Sequence, residues 1–162
     1  MILATVGTQL PFPRLISALD GIAPSLDKKV IAQIGADPTP PTNIEWHRDF
    51  EPSEFQSLFV AADIIVSHAG IGTILAAKKH AKPIIVMART ASLGEHRNDH
   101  QLATVKQLAG RPGVYLANNE SELLQLLTEA SLCCAPPLAS DQNSTLTIAI
   151  SDFINKTDSR HF

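Results

Sequence analysis

Apolar and polar positions follow a long-range alternation along the chain. Short apolar runs rich in β-branched residues end at a glycine or polar turn, and after most of them apolar residues recur every three or four positions. Met1–Val6 is the first run, broken by Gly7-Thr8-Gln9. Leu15, Ile16 and Leu19 then give one face of a helix that begins near Pro11 and Pro13 and ends at Gly21 and Pro24. Lys29–Ile34 predicts a second strand closed by Gly35, and 43–47 a shorter third. Phe55, Leu58, Phe59 and Ala62 predict a helix opened by Glu51-Pro52-Ser53-Glu54. Ile64–Val66 and 74–80 predict the next strand and helix, 82–87 a strand, 99–108 a helix and 113–116 a strand. A helix capped by Asn118 or Asn119 then buries Leu123, Leu124, Leu126 and Leu127.

Strands that alternate with helices in this way predict an α/β fold, a doubly wound, mostly parallel Rossmann-like sheet. In such sheets ligands lie outside the carboxyl ends of the strands, where the strand order reverses. Three polar turns fall at such ends: Gly7-Thr8-Gln9, Ser67-His68-Ala69-Gly70, and the aperiodic loop 89–101. The second has the form strand, glycine turn, helix N-terminus, which suits a phosphate group because free backbone N–H groups and the helix dipole face it together. Gly70 and Gly72 allow close backbone approach and His68 adds a donor.

Composition narrows the choice. A chain of 162 residues suits one domain with a sizeable core. The 44% hydrophobic and 18% charged content is that of a soluble globular protein, and a net charge of -3 offers no basic surface for nucleic acid. There is no run of about 18 apolar residues and no cationic segment ahead of Met1–Val6, so a cytoplasmic protein without a membrane span or signal peptide is expected. Cys133 and Cys134, the two cysteines, are adjacent and match no metal spacing; both are expected to be reduced and structural. The domain is expected over 1–130, followed by a proline-containing linker at 131–141, a helix at 142–155 and a tail at 156–162.

Thr5-Val6-Gly7-Thr8-Gln9, the turn His68-Ala69-Gly70-Ile71-Gly72-Thr73, Lys82-Pro83 and Gly94-Glu95-His96-Arg97-Asn98-Asp99-His100-Gln101 together resemble the C-terminal, nucleotide-sugar-binding half of GT-B glycosyltransferases of family 28. The likeness is to the single-domain subunits of split glycosyltransferases in particular, both the bacterial exopolysaccharide type and the catalytic subunit acting on dolichol-linked oligosaccharide. It covers residues 1–127. The resemblance implies that a UDP-sugar is the substrate, with neither metal nor cofactor, and that transfer inverts the anomer. Gly7, Thr8, His68, Gly70, Gly72 and Thr73 would bind the donor diphosphate. Gln9, Glu95, His96, Asn98, His100 and Gln101 would face the donor sugar. One departure is Ala76, near the place where many relatives carry a glutamate that grips the ribose.

The resemblance further implies a membrane-associated acceptor-binding subunit that commonly supplies the general base, brings the chain to the cytoplasmic membrane face and presents a lipid-linked saccharide. The stripe Leu146, Ile150, Phe153 and Ile154 either docks on that partner or packs back on the chain's own sheet. A non-catalytic nucleotide-sugar-binding regulatory module is the alternative, and Ala76 is its best support. A UDP-sugar epimerase of related two-domain fold is disfavoured by chain length and by the lack of a carboxylate set in the strand-end turns.

Overall fold

The computed structural model describes residues 1–128 and 131–134. Within them the chain runs β1 (Ile2–Thr5), α1 (Pro13–Ile22), β2 (Val30–Gln33), β3 (Glu45–His47), α2 (Pro52–Ala61), β4 (Ile64–His68), α3 (Ile71–Lys79), β5 (Ile84–Met87), α4 (His100–Leu108), β6 (Val114–Leu116) and α5 (Glu120–Thr128). The six strands form one sheet in the order β3-β2-β1-β4-β5-β6, and every pairing is parallel. The α/β, doubly wound Rossmann-like fold expected from the apolar rhythm is therefore the one observed. The order reverses between β1 and β4, which places the turns after Thr5 and His68 side by side.

Both faces of the sheet are covered, which is why its strands read as continuous apolar runs. On one face Ile2, Ala4, Val6, Val30, Ala32, Ile64 and Val66 pack against Leu15, Ile16 and Leu19 of α1 and Leu123 of α5. On the other, Leu3, Ile65, Ile84 and Val86 pack against Phe59 of α2, Ile74 and Ala77 of α3 and Leu108 of α4. Asn119 caps α5, its Oδ1 accepting from the Glu122 amide at 2.9 Å while the Glu122 carboxylate accepts from the Asn118 amide at 2.8 Å.

Two boundaries differ from expectation. Helix α1 continues through Gly21 to Ile22, and Pro24 falls in a short 3-10 turn at Ala23–Ser25. Helix α3 begins at Ile71 rather than at Ile74, because Gly70 already has the extended conformation of an N-cap (φ -83°, ψ 127°). A glycine inside a helix costs only about 1 kcal/mol against alanine, so Gly72 joins the first turn instead of breaking it. Cys133 and Cys134 are exposed free thiols, and the Tyr115 hydroxyl accepts from the Cys133 amide at 2.8 Å. The expected helix at 142–155, the tail and most of the linker lie outside the described residues. No described helix is long and apolar enough to cross a membrane.

Ile65 is fully buried at the centre of β4. Ile65→Ala is expected to lower the free energy of unfolding by about 2–5 kcal/mol, the usual range for emptying such a site, as measured by urea denaturation.

Candidate functional site

The site is set by three polar residues at the end of the sheet. Strand register puts Gln33, Thr5 and Ser67 in one row, all of them buried. Thr5 Oγ1 donates to Gln33 Oε1 at 2.6 Å and accepts the Gly7 amide at 3.1 Å, while Ser67 Oγ donates to the Thr5 carbonyl at 3.0 Å. Gln33 Nε2 continues the row to Asp49 Oδ1 at 3.1 Å. Buried polar groups must be paired, and here their pairing ties the ends of β2, β1 and β4 together beneath the cleft.

His68 closes β4 and fits between two glycines. A Cβ on Gly70 would lie 2.3 Å from His68 Nε2, and one on Gly7, whose φ is +78°, would lie 2.8 Å from Cε1. A side chain at either position would displace the His68 ring, and at Gly7 it would also strain the backbone. Burial, and secondarily the charge of Arg89, pull the imidazole down to about 4, so it is neutral at neutral pH. Its Nδ1 faces Ser67 Oγ at 3.3 Å. Just beyond, α3 starts without a side-chain cap, so the amides of its first turn keep no intrahelical acceptor, and Lys78 and Lys79 in its last turn complement the dipole. The space above Gly72 is open.

These pieces surround a cleft of about 660 Å³. Of the sequence-derived candidates, Gly7, Thr8, Gln9, His68, Gly70, Gly72, Thr73, His96 and Gln101 line it. Glu95, Asn98 and His100 are not among its lining residues. Glu95 receives Arg14 Nε at 2.7 Å and Nη2 at 2.8 Å, and the Thr90 amide at 2.9 Å. Burial works against its ionisation, yet those bonds and the charges of Arg14 and Arg89 hold its carboxyl below the usual range. Asn98 lies beside His96, whose Nδ1 is 3.2 Å from the Asn98 carbonyl and from Oδ1, and Asn98 Oδ1 also receives the His100 amide at 3.4 Å. Gln101 is nearly buried, with Oε1 accepting from the Arg89 amide at 3.0 Å.

The cleft also contains residues that sequence reading passed over. Phe50, Pro52 and Phe55 give it an apolar wall, the two phenyl rings 6.4 Å apart. Thr5 and Gln33 are polar residues one position before the ends of the apolar runs Met1–Val6 and Lys29–Ile34, which was a usable signal. Arg89, buried beside the cleft, is the first polar residue after the β5 run. Among the described residues no group of three or more histidine, cysteine, aspartate or glutamate side chains is placed to hold a metal ion.

A parallel sheet with a glycine-lined cleft and an uncapped helix N-terminus at its switch point defines a doubly wound α/β domain of the Rossmann-like type, with its candidate site where such folds place ligands. The model of the glycosyltransferase family 28 C-terminal domain matches residues 1–150, and the chain belongs to that family. Its fold is similar to the solution structure of ALG13, with TM-score 0.59 and 18% identity over 94% of this chain and 93% of that one. It is similar to MurG of Acinetobacter baumannii, with TM-score 0.55 and 21% identity over 95% of this chain and 49% of that one. It is also similar to the glycosyltransferase SsfS6 of Streptomyces sp. SF2575, solved with thymidine diphosphate, with TM-score 0.56 and 20% identity over 81% of this chain. The chain spans 33% of SsfS6. No curated protein sequence matches the chain.

The depressed His68 pKa has a measurable consequence. The folded state binds this proton more weakly than the unfolded chain, so the associated stability is fully present above pH 6.5 and is lost as pH falls from 6.5 toward 4. The loss is about 1.4 kcal/mol per pH unit over that window. Urea midpoints across the window are expected to fall less steeply in His68→Gln than in the wild type.

Proposed function

We propose that this chain is the donor-binding, catalytic subunit of a two-component glycosyltransferase, moving a sugar from a UDP-sugar to a lipid-linked saccharide in exopolysaccharide or glycolipid biosynthesis. A membrane-associated acceptor-binding subunit completes the active site and holds the chain at the cytoplasmic membrane face. The observation that carries the reading is convergence: Gly7, Thr8 and Gln9, then His68, Gly70, Gly72 and Thr73, then His96 and Gln101, from three different strand ends, line a single cleft. Family membership supports the same chemistry, and the solved chain of ALG13 matches this one over 93% of its length. The thymidine diphosphate in SsfS6 supports a nucleoside diphosphate as the ligand class.

In this reading the amides of Ile71, Gly72 and Thr73 and the neutral His68 meet the diphosphate on one side, with Gly7 and Thr8 on the other. As the glycosidic bond to the leaving diphosphate breaks, its growing negative charge is met by amides already oriented toward it, so a metal ion is not required. Gln9, His96 and Gln101 face the sugar, and the wall of Phe50, Pro52 and Phe55 receives the base. Glu95, Asn98 and His100 shape the loop that presents His96 and Gln101. Transfer by direct displacement inverts the anomer, with the acceptor proton passing to a base on the partner.

The regulatory alternative rests on Ala76. One turn after Gly72 and Thr73, α3 offers only this half-buried methyl group at the edge of the core, leaving no carboxylate there for a ribose. Calorimetry with UDP and UDP-sugars, joined to a transfer assay on membranes containing the partner, separates the two. His68→Ala is expected to weaken UDP binding about tenfold, or about 1.4 kcal/mol. Gln101→Ala is expected to weaken UDP-sugars while leaving UDP nearly unchanged. Unaltered UDP affinity in His68→Ala would sink the diphosphate assignment, and binding without transfer from any donor would favour the regulatory module.

A further inference from the structure

Two guanidiniums and one carboxylate meet at the carboxyl end of β5. Arg14 takes both oxygens of Glu95, and the bond to Glu95, opposed by burial, raises its pKa. That carboxylate is thereby used. Arg89 makes no ion pair among the described residues, yet it is only 3% exposed. Its Nη2 donates to the carbonyls of Val6 at 2.8 Å, Leu10 at 2.5 Å and Pro11 at 3.4 Å. Its Nε is buried without a partner. Both cations stand over the Phe12 ring, the Arg14 guanidinium carbon 5.2 Å and that of Arg89 5.0 Å from its centroid.

Carbonyls satisfy part of the hydrogen-bonding capacity of Arg89 without neutralising its charge. Burying an uncompensated charge is expensive, and burial accordingly pulls the Arg89 pKa down, opposed only by the more distant Glu95. The other titratable groups beside it, His68 and His96, supply no negative charge. The cluster of Arg14, Arg89 and Glu95 thus carries one net positive charge in a chain whose net charge is -3. It sits where Arg89 lines the cleft, next to the turn that Thr5 also holds.

We infer that Arg89 is the fixed positive charge of the cleft, that its missing counter-ion is the diphosphate of the ligand, and that the same side chain pins the Val6–Pro11 turn into place for that ligand. The nucleotide-sugar reading supplies the identity of the anion; that Arg89 has no ion-pair partner among the described residues is observed independently of that reading. Arg89 is also a positioning residue, because it fixes the backbone of Gly7, Thr8 and Gln9 from below. Substitution should therefore change both the charge dependence of binding and the protection of the turn.

The test is calorimetric titration of the purified chain with inorganic pyrophosphate, UDP and uridine, for the wild type, Arg89→Gln and Arg89→Lys, at low and high salt. The wild type is expected to bind pyrophosphate and UDP far better than uridine, with affinity falling as salt rises. Arg89→Gln is expected to lose about tenfold or more for both anions and most of the salt dependence. Arg89→Lys keeps the charge and recovers the salt dependence, while amide hydrogen exchange at Gly7, whose N–H is held by Thr5 Oγ1, rises in both variants. Should Arg89→Gln fail to fold, Arg89→Lys decides alone: salt-dependent binding with a less protected turn supports the inference, and salt-independent binding with unchanged protection overturns it. Pyrophosphate affinity in folded Arg89→Gln within about twofold of the wild type also overturns it. A wild type that binds pyrophosphate but not UDP keeps the anion site and removes the nucleotide reading. One that binds UDP and uridine alike but not pyrophosphate does the reverse.

Discussion

The site depends on the hydroxyl and carbonyl of one threonine. Thr5 ends β1 at the point where the strand order reverses, and it bonds sideways to Gln33 on β2 and Ser67 on β4 and forward to the Gly7 amide. A parallel sheet whose strands ended in apolar side chains would leave these strand ends free to fray independently. Here a buried polar row ties the three ends to one another. The Gly7 turn and the His68 turn therefore keep a fixed separation, and a ligand held between them need not first order them.

On that frame the cleft divides its electrostatic work. The imidazole of His68 is neutral because two glycine backbones enclose it and Arg89 stands near, so it contributes hydrogen bonding but no net charge. The amides at the start of α3 contribute oriented dipoles that require no desolvation of an ion. The fixed charge comes from the other side, through Arg89. Dipoles on one wall and a cation on the other suit a group whose negative charge grows during a reaction, because neither has to reorganise as it does.

Most of the fold was legible in the sequence because a doubly covered parallel sheet leaves an unmistakable signature of apolar runs at regular intervals. The switch-point turn was legible for the same reason, since Gly70 and His68 follow directly from the end of a run. What was not legible was long-range. Arg89 stands 83 positions from Val6, whose carbonyl it binds, and no local pattern marks a buried arginine. Phe50 belongs to the β3–α2 connection and Phe55 to the first turn of α2, and it is only the crossover that brings them to the wall of the cleft. Helix α3 starts at Ile71, three residues ahead of the expected Ile74, because once Gly70 sets the entry geometry the helix absorbs Gly72.

The 89–101 loop shows why charge and ligand contact separate within one motif. Its acidic members are consumed internally: Glu95 by Arg14 and the Thr90 amide, and Asp99 by the Ala91 amide at 2.9 Å. Asn98 contacts both His96 and the His100 amide. The members left to line the cleft, His96 and Gln101, are those that can offer donors and acceptors without adding negative charge. A carboxylate turned inward would repel an anion from the same space that Arg89 and α3 make attractive, and it would also cancel the cation. Tying Glu95 to Arg14 therefore does two things at once: it braces the loop, and it leaves Glu95 acting on Arg89 only from a distance, without a direct ion pair.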